Sequence, residues 1–248
     1  MSAYFESMQR RVPPVPLKPA PGQAPETARE LVPHSPVKRP PVAGGPAVGS
    51  PAFETLREQL VARGNGRAVQ TIVFVGCSGR EVCGPFVRAF GQSLAVQGSR
   101  VLVVDTTSAG DGEQGDGNLA DAVSSAAGIP TQVVGQGRLA SLTMAVTRAE
   151  KEPLLRSPAF GAWLEAQRAV FDYVLFAAQP VSQYADAMLL GRVSDGVVLL
   201  VQADNTERRA LTRAREQLDR AGVNILGAVL EGVHSELSPV LQRYLGES

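Results

Sequence analysis

The sequence predicts an α/β fold with a doubly wound, mostly parallel sheet, preceded by a disordered proline-rich tail. Short apolar runs lack polar alternation, which is typical of strands covered on both faces of a parallel sheet. Stretches with helical periodicity separate several of these runs. Alternation of strands and helices favours right-handed crossovers, and therefore a doubly wound arrangement.

The tail is predicted from the distribution of proline. Eleven of the 18 prolines fall within residues 1–50, with small residues between them. Such a segment cannot bury enough apolar surface to offset the entropy lost on ordering, which predicts disorder with polyproline II character. The chain is therefore divided into a tail at 1–50 and an α/β domain at 51–248.

The domain is predicted to begin with a helix at 53–60, with Phe53, Leu56 and Leu60 on one face. The predicted strands are Thr71–Gly76, Arg100–Asp105, Phe171–Phe176, Gly196–Gln202 and Asn224–Leu230. The predicted helices between them are 84–97, Asp186–Arg192 and Thr206–Ala221. The glycine- and acid-rich stretch 108–117 is predicted to be a loop, and both it and the glycine-dotted stretch 126–140 are predicted to be mobile.

Composition argues against strong binding of nucleic acid and against a segment that spans a membrane. The 24 basic and 24 acidic residues balance, so a strong attraction of the whole chain to nucleic acid is not expected. The apolar runs are too short to span a bilayer directly. Two cysteines without a signal peptide favour a reducing, cytoplasmic location, with recruitment to the inner membrane by a partner as an open possibility.

The order of motifs carries a family resemblance. QGSRVLVVD, FDYVLF and the long stretch SDGVVLLVQADNTERRALTRAREQLDRAGVNILGAVL follow a strand, a glycine-containing turn and a helix. This order resembles the MinD/ParA-like P-loop NTPases. AFETLREQL and PLLRSPAFGAWLEAQRAVFDYVLF are most similar to the cytoplasmic domain of bacterial tyrosine kinases (BY-kinases) of capsule and exopolysaccharide systems. The resemblance covers about residues 51–232.

The family's phosphate-binding turn ends in G-K-[ST]. Its backbone N–H groups and lysine neutralise phosphates, while its hydroxyl holds Mg²⁺. By the usual family spacing, the lysine position falls on Cys83 and the hydroxyl on Gly84 or Pro85. Gly79 is a possible remnant of the turn, and Arg80 is a nearby cation.

The remaining motif positions also differ from the family. Its D-x-D motif corresponds to Asp105 and Thr107, so only the first carboxylate is kept. Ala177 stands where the family has the metal-organising aspartate of the Walker B strand, and Glu231 where many relatives have an adenine-reading asparagine. Alanine has no side-chain oxygen with which to bind a metal.

These substitutions predict a protein that is not an enzyme, with no catalytic residue, no metal site and no cofactor. Phosphoryl transfer depends on electrostatic stabilisation, which these positions no longer supply. The alternative is a nucleotide-dependent autokinase or ATPase with an atypical site for ATP and Mg²⁺, in which Arg80 replaces the lysine and Asp105 holds the metal.

The resemblance implies a partner role in polysaccharide synthesis and export. The expected partner is a membrane polysaccharide copolymerase or an active BY-kinase, and assembly as a homo- or hetero-oligomer stays open. A MinD/ParA-type positioning protein is a further alternative, although no C-terminal amphipathic anchor is evident.

Overall fold

The computed structural model describes residues 48–63, 68–79, 81, 83–107, 117–125, 129, 132–144, 146–203 and 205–232. The predicted tail lies almost wholly outside these ranges, so the boundary at residue 50 stays a prediction. Arg80 and nearly all of the predicted loop at 108–117 also lie outside them.

The described residues form seven helices and seven strands. The helices are α1 (Pro51–Arg63), α2 (Cys83–Val96), α3 (Leu119–Ser124), α4 (Arg148–Arg156), α5 (Pro158–Val170), α6 (Asp186–Val193) and α7 (Arg208–Arg220). The strands are β1 (Thr71–Gly76), β2 (Arg100–Asp105), β3 (Gln132–Val134), β4 (Gly137–Thr143), β5 (Tyr173–Ala178), β6 (Gly196–Gln202) and β7 (Ile225–Glu231).

The strands make one sheet in the order β3-β4-β2-β5-β1-β6-β7. Every pairing within it is parallel except the one between β3 and β4. β1 lies centrally, with Val73 paired to Phe176 on one side and to Val197 on the other. The predicted α/β class with a mostly parallel sheet is therefore confirmed.

Helices cover both faces of the sheet. On one face, α1 and α2 pack through a cluster that includes Phe53, Phe86 and Phe90. On the opposite face, α3 to α7 contribute apolar side chains such as Leu155, Phe160 and Leu218. Burial on both faces explains why the central strands are continuous apolar runs instead of alternating ones.

Helix α1 forms where its periodicity predicts it. Phe53, Leu56 and Leu60 are its buried residues, and they recur at the three- and four-residue spacing of one helical face. The ring centroid of Phe53 lies 5.5 Å from that of Phe90 and 5.6 Å from that of Phe86. These contacts attach α1 to α2.

Residues 132–140, in the second half of the glycine-dotted stretch, form regular structure. β3 and the start of β4 form a hairpin there, and β4 pairs with β2 from Arg138 to Thr143. Gly135 turns the hairpin with a φ of +59°, a conformation that suits glycine. The mobility of this stretch stays a prediction, and pairing with β2 stabilises a segment whose local pattern is weak.

None of the helices in the described part of the chain is long and apolar enough to cross a membrane.

Candidate functional site

The candidate site lies at the carboxyl edge of the sheet. In parallel α/β sheets, ligands bind beyond the carboxyl ends of the strands, near the point where the strand order reverses. Here β5 and β6 lie on opposite sides of β1. The turn after β1 and the residues that end β2, β5 and β6 therefore meet at this edge.

The turn after β1 closes around the carboxylate of Glu81. Oε2 of Glu81 accepts hydrogen bonds from the backbone N–H of Ser78, at 2.8 Å, and from its Oγ, at 2.9 Å. Glu81 is only 7% exposed. A Cβ added at Gly76 would lie 3.0 Å from the same oxygen, so the backbone runs directly beside the carboxylate.

A third hydrogen bond connects this carboxylate to the loop that follows β6. The Oγ1 of Thr206 donates to Oε1 of Glu81 at 2.6 Å, across 125 positions of the chain. Thr206 itself accepts from the backbone N–H of Gln202 at 2.9 Å. The Glu81 carboxylate thus joins the turn after β1 to the loop that leads into α7.

Residues at the start of α2 are enclosed. Cys83 and Gly84 are buried, whereas Pro85 is exposed. A Cβ added at Gly84 would lie 2.7 Å from Oδ2 of Asp105 and 3.5 Å from Oγ1 of Thr107. A hydroxyl-bearing side chain at position 84 therefore requires Asp105 to move.

Asp105 interacts mainly with its own loop. Its Oδ1 accepts from the N–H of Thr107 at 2.8 Å and from the Oγ1 of Thr107 at 2.6 Å. The Nε2 of Gln179 donates to the backbone oxygen of Thr107 at 2.6 Å. The ends of β2 and β5 are thereby connected, and a carboxylate oxygen of Asp105 faces the start of α2.

Three further positions identified from the sequence are Ala177, Glu231 and Gly79. Ala177 is fully buried in β5, beside Phe74 and Asp105 in the neighbouring strands. Burial raises the pKa of Glu231, and the nearby charge of Glu81 raises it further. Gly79 lies against another loop, since a Cβ there would come 2.6 Å from Nε2 of Gln183.

Both cysteine thiols have raised pKa values. Burial raises the pKa of Cys77 to about 12, with a smaller contribution from Glu81. Burial also raises the pKa of Cys83 far above its usual range, and Glu231 and Glu81 add to this effect. Because the thiolate is the reactive form, neither cysteine suits nucleophilic or redox chemistry in this conformation.

A buried ion pair lies beneath the same edge. The Nζ of Lys151 in α4 is 3.1 Å from Oδ2 of Asp186 in α6 and donates to the backbone oxygen of Thr106 at 2.6 Å. The two side chains are 9% and 8% exposed. The pair fixes α4 and α6 to the residue that follows Asp105.

The described residues do not fit a magnesium nucleotide held in the manner of the P-loop family. The turn after β1 holds a carboxylate of its own chain, and a buried thiol occupies the lysine position. Asp105, Glu81 and Glu231 all lie close enough to Cys83 to raise its pKa, so three carboxyl groups lie near the position of the family's lysine. Within the described ranges, no group of three or more Asp, Glu, His or Cys residues is arranged to hold a metal ion.

The sequence-based interpretation missed the central residue of this arrangement. Glu81 follows Ser78 in an S-x-x-E pattern directly before a helix, which is the signature of a capping box. That pattern could have predicted the contact with Ser78. Nothing local in the sequence indicates that Thr206 lies beside the same carboxylate.

Sequence comparison finds bacterial tyrosine-protein kinases. Over 85 residues the chain is 31% identical to the tyrosine-protein kinase CpsD of Streptococcus agalactiae. This matched segment makes up 34% of this chain and 37% of the relative. Over 64 residues it is 38% identical to the tyrosine-protein kinase YwqD of Bacillus subtilis, covering 26% of this chain and 27% of that one. The matches thus span little more than a third of these relatives at most. No family model matches the chain.

Its homologues are bacterial tyrosine kinases. Among solved structures, the BceF tyrosine kinase domain has a TM-score of 0.58 at 25% identity, with 73% of this chain and 78% of that domain covered. The fold is also similar to the MinC:MinD cell division complex of Aquifex aeolicus, with a TM-score of 0.50 at 14% identity over 68% and 71% of the two chains. The predicted resemblance to BY-kinases and MinD-like ATPases is confirmed.

The prediction that the chain is not an enzyme is contradicted. Its homologues are named as tyrosine-protein kinases and its structural neighbours include kinase domains, which points to an enzyme. That prediction assumed that each missing family side chain removes its function. Loss of a side chain at one position does not exclude another arrangement of charges at the same sheet edge, so the inference from substitutions alone went too far.

Proposed function

We propose that this chain works in capsule or exopolysaccharide synthesis and export as a cytoplasmic, BY-kinase-like domain that binds a membrane polysaccharide copolymerase or an intact tyrosine kinase. The similarity to tyrosine-protein kinases supports the process, because the kinase family that the sequence resembles belongs to such systems. The observation that carries a partner role is a charged surface on α7, next to the candidate site.

This arginine surface consists of Arg208, Arg209 and Arg213. All three are exposed, and none belongs to an ion pair among the described residues. Arg208 and Arg209 lie in the first turn of α7, where the helix dipole disfavours positive charge by about 0.3–1 kcal/mol each, and Arg213 lies one turn further along. An acidic segment of a partner would relieve this unfavourable arrangement.

The arginine surface begins close in the chain to a residue of the candidate site. Thr206, which donates to Glu81, lies two residues before α7 begins. A partner segment that reaches Arg208 and Arg209 would bind within a few residues of the loop that holds the Glu81 carboxylate. The proposal places partner binding beside the turn after β1.

Reversing the arginine surface is expected to weaken partner binding by about tenfold or more, since like charges across an interface repel. The variant Arg208→Glu/Arg209→Glu/Arg213→Glu and the unmodified full chain would be compared by titration with the cytoplasmic segments of a polysaccharide copolymerase and with an intact BY-kinase domain. Arg215→Glu/Arg220→Glu is the matched control, since each of these arginines is paired with a carboxylate on α7. Absence of any complex between the unmodified chain and either a copolymerase or an intact kinase would refute the partner role.

A second candidate is a nucleotide-dependent phosphotransferase with an atypical site. The names of the homologues favour it, and Asp105 is the family carboxylate that remains. Under this candidate, the full chain transfers labelled phosphate from ATP to tyrosine, and Asp105→Asn lowers the rate by about a hundredfold or more. The matched control is Asp121→Asn, an exposed carboxylate in α3. Transfer that Asp105→Asn leaves unchanged, or no transfer at all, would reject this candidate.

A further inference from the structure

The turn after β1 has the donors of an anion site and is already occupied. The N–H and Oγ of Ser78 and the Oγ1 of Thr206 all donate to one carboxylate, that of Glu81. In P-loop proteins the corresponding turn directs its donors at a ligand phosphate. Here the anion comes from the chain itself.

The contact with Thr206 distinguishes this arrangement from a simple helix cap. A capping box involves an N-cap side chain and a carboxylate three residues later, as in the pair formed by Thr147 and Glu150. Glu150 lies on the protein surface, and its carboxylate accepts only from Thr147 in the described structure. Glu81 is buried and also accepts from Thr206, in the loop between β6 and α7.

We propose that Glu81 is an internal occupant of the turn after β1, which competes with the phosphate group of any ligand and closes the site until it is displaced. Because two like charges a few ångströms apart repel strongly where water is excluded, the carboxylate and a phosphate cannot share the turn. Thr206 holds the carboxylate in place, so loss of its hydrogen bond to Oε1 is expected to release the carboxylate from the turn.

This inference rests on the proposed function in one respect: it assumes that a ligand with a phosphate group reaches the turn after β1. It does not depend on partner binding or on catalysis. If Glu81 variants gain phosphate binding while no phosphate transfer occurs, the closure is supported and the phosphotransferase candidate fails. If transfer occurs in the unmodified chain without any effect of Glu81, the closure fails and the enzyme candidate stands.

The test is calorimetric titration of the full-length protein with inorganic pyrophosphate in a buffer containing Mg²⁺. Glu81→Ala is expected to bind pyrophosphate about tenfold more tightly than the unmodified chain, or tighter still, since a buried like charge is removed. Glu81→Gln keeps the size of the side chain and removes its charge, and is expected to show a smaller gain. Thr206→Val is expected to show a gain as well, because it releases Oε1 of Glu81.

The matched control is Glu207→Ala. Glu207 is exposed, lies next to Thr206 and makes no side-chain cap bond, so its removal changes the net charge equally without opening the turn. Its affinity for pyrophosphate is expected to stay within about twofold of the unmodified chain, as for a screened surface charge. A role as a helix cap alone predicts that Glu81→Ala loses stability in urea and gains no affinity. That result, or equal affinities for the folded Glu81→Gln variant and the unmodified chain, would overturn the proposal.

Discussion

Replacing Lys151 by methionine is expected to lower the free energy of unfolding by about 3–5 kcal/mol, the usual effect of removing one partner of a buried ion pair. The substitution leaves the carboxylate of Asp186 buried without its cation and removes the donor to the backbone oxygen of Thr106. Urea denaturation followed by circular dichroism measures the change. Since Thr106 follows Asp105 directly, the loop that holds Asp105 is expected to lose protection from hydrogen exchange as well.

Two control variants separate the ion pair from general effects of substitution in α4. The double variant Lys151→Met/Asp186→Leu is expected to recover most of the lost stability, because a well-packed apolar pair often replaces a buried ion pair at little cost. Arg156→Met, which breaks an exposed pair with Glu152 in the same helix, is expected to change stability by less than about 1 kcal/mol. A loss below about 1 kcal/mol for Lys151→Met would show that the pair is unimportant for stability.

Truncating Phe90 to alanine is expected to have an effect of similar size, about 3–5 kcal/mol. Phe90 is 1% exposed, and its ring centroid lies 5.5 Å from that of Phe53 and 5.8 Å from that of Phe74. The substitution removes apolar burial and leaves a cavity between α1, α2 and the sheet. Helix α1 is expected to become more susceptible to proteolysis, because Phe53 is one of its three buried residues.

The control for this cavity is Val170→Ala at the end of α5. Val170 is 51% exposed, so its truncation is expected to alter the free energy of unfolding by at most about 0.5 kcal/mol. Thermal or urea unfolding of the two variants and the unmodified chain provides the comparison. Equal stability of Phe90→Ala and Val170→Ala would mean that α1 and α2 do not form the packed layer described above.

The fold class was predictable because its determinants are local. Strands buried on both faces give apolar runs of about six residues, and an amphipathic helix gives apolar residues three and four positions apart. Both signals can be read within one segment, as the run 71–76 and the helical face of Phe53, Leu56 and Leu60 illustrate. Residues 126–140 lack such a signal, because β3 is short and β4 is stabilised by its pairing with β2.

Motif order and spacing are enough to assign side chains to the family's motif positions, including Cys83, Asp105, Thr107 and Ala177. The surroundings of these side chains depend on the folded chain. The contact between Glu81 and Thr206 spans 125 positions, and the ion pair between Lys151 and Asp186 spans 35. Periodicity and motifs report on neighbours within a few residues, whereas the strand order determines which loops meet at the carboxyl edge of the sheet. The hydrogen bond from Thr206 to the Glu81 carboxylate therefore became evident only in the folded chain.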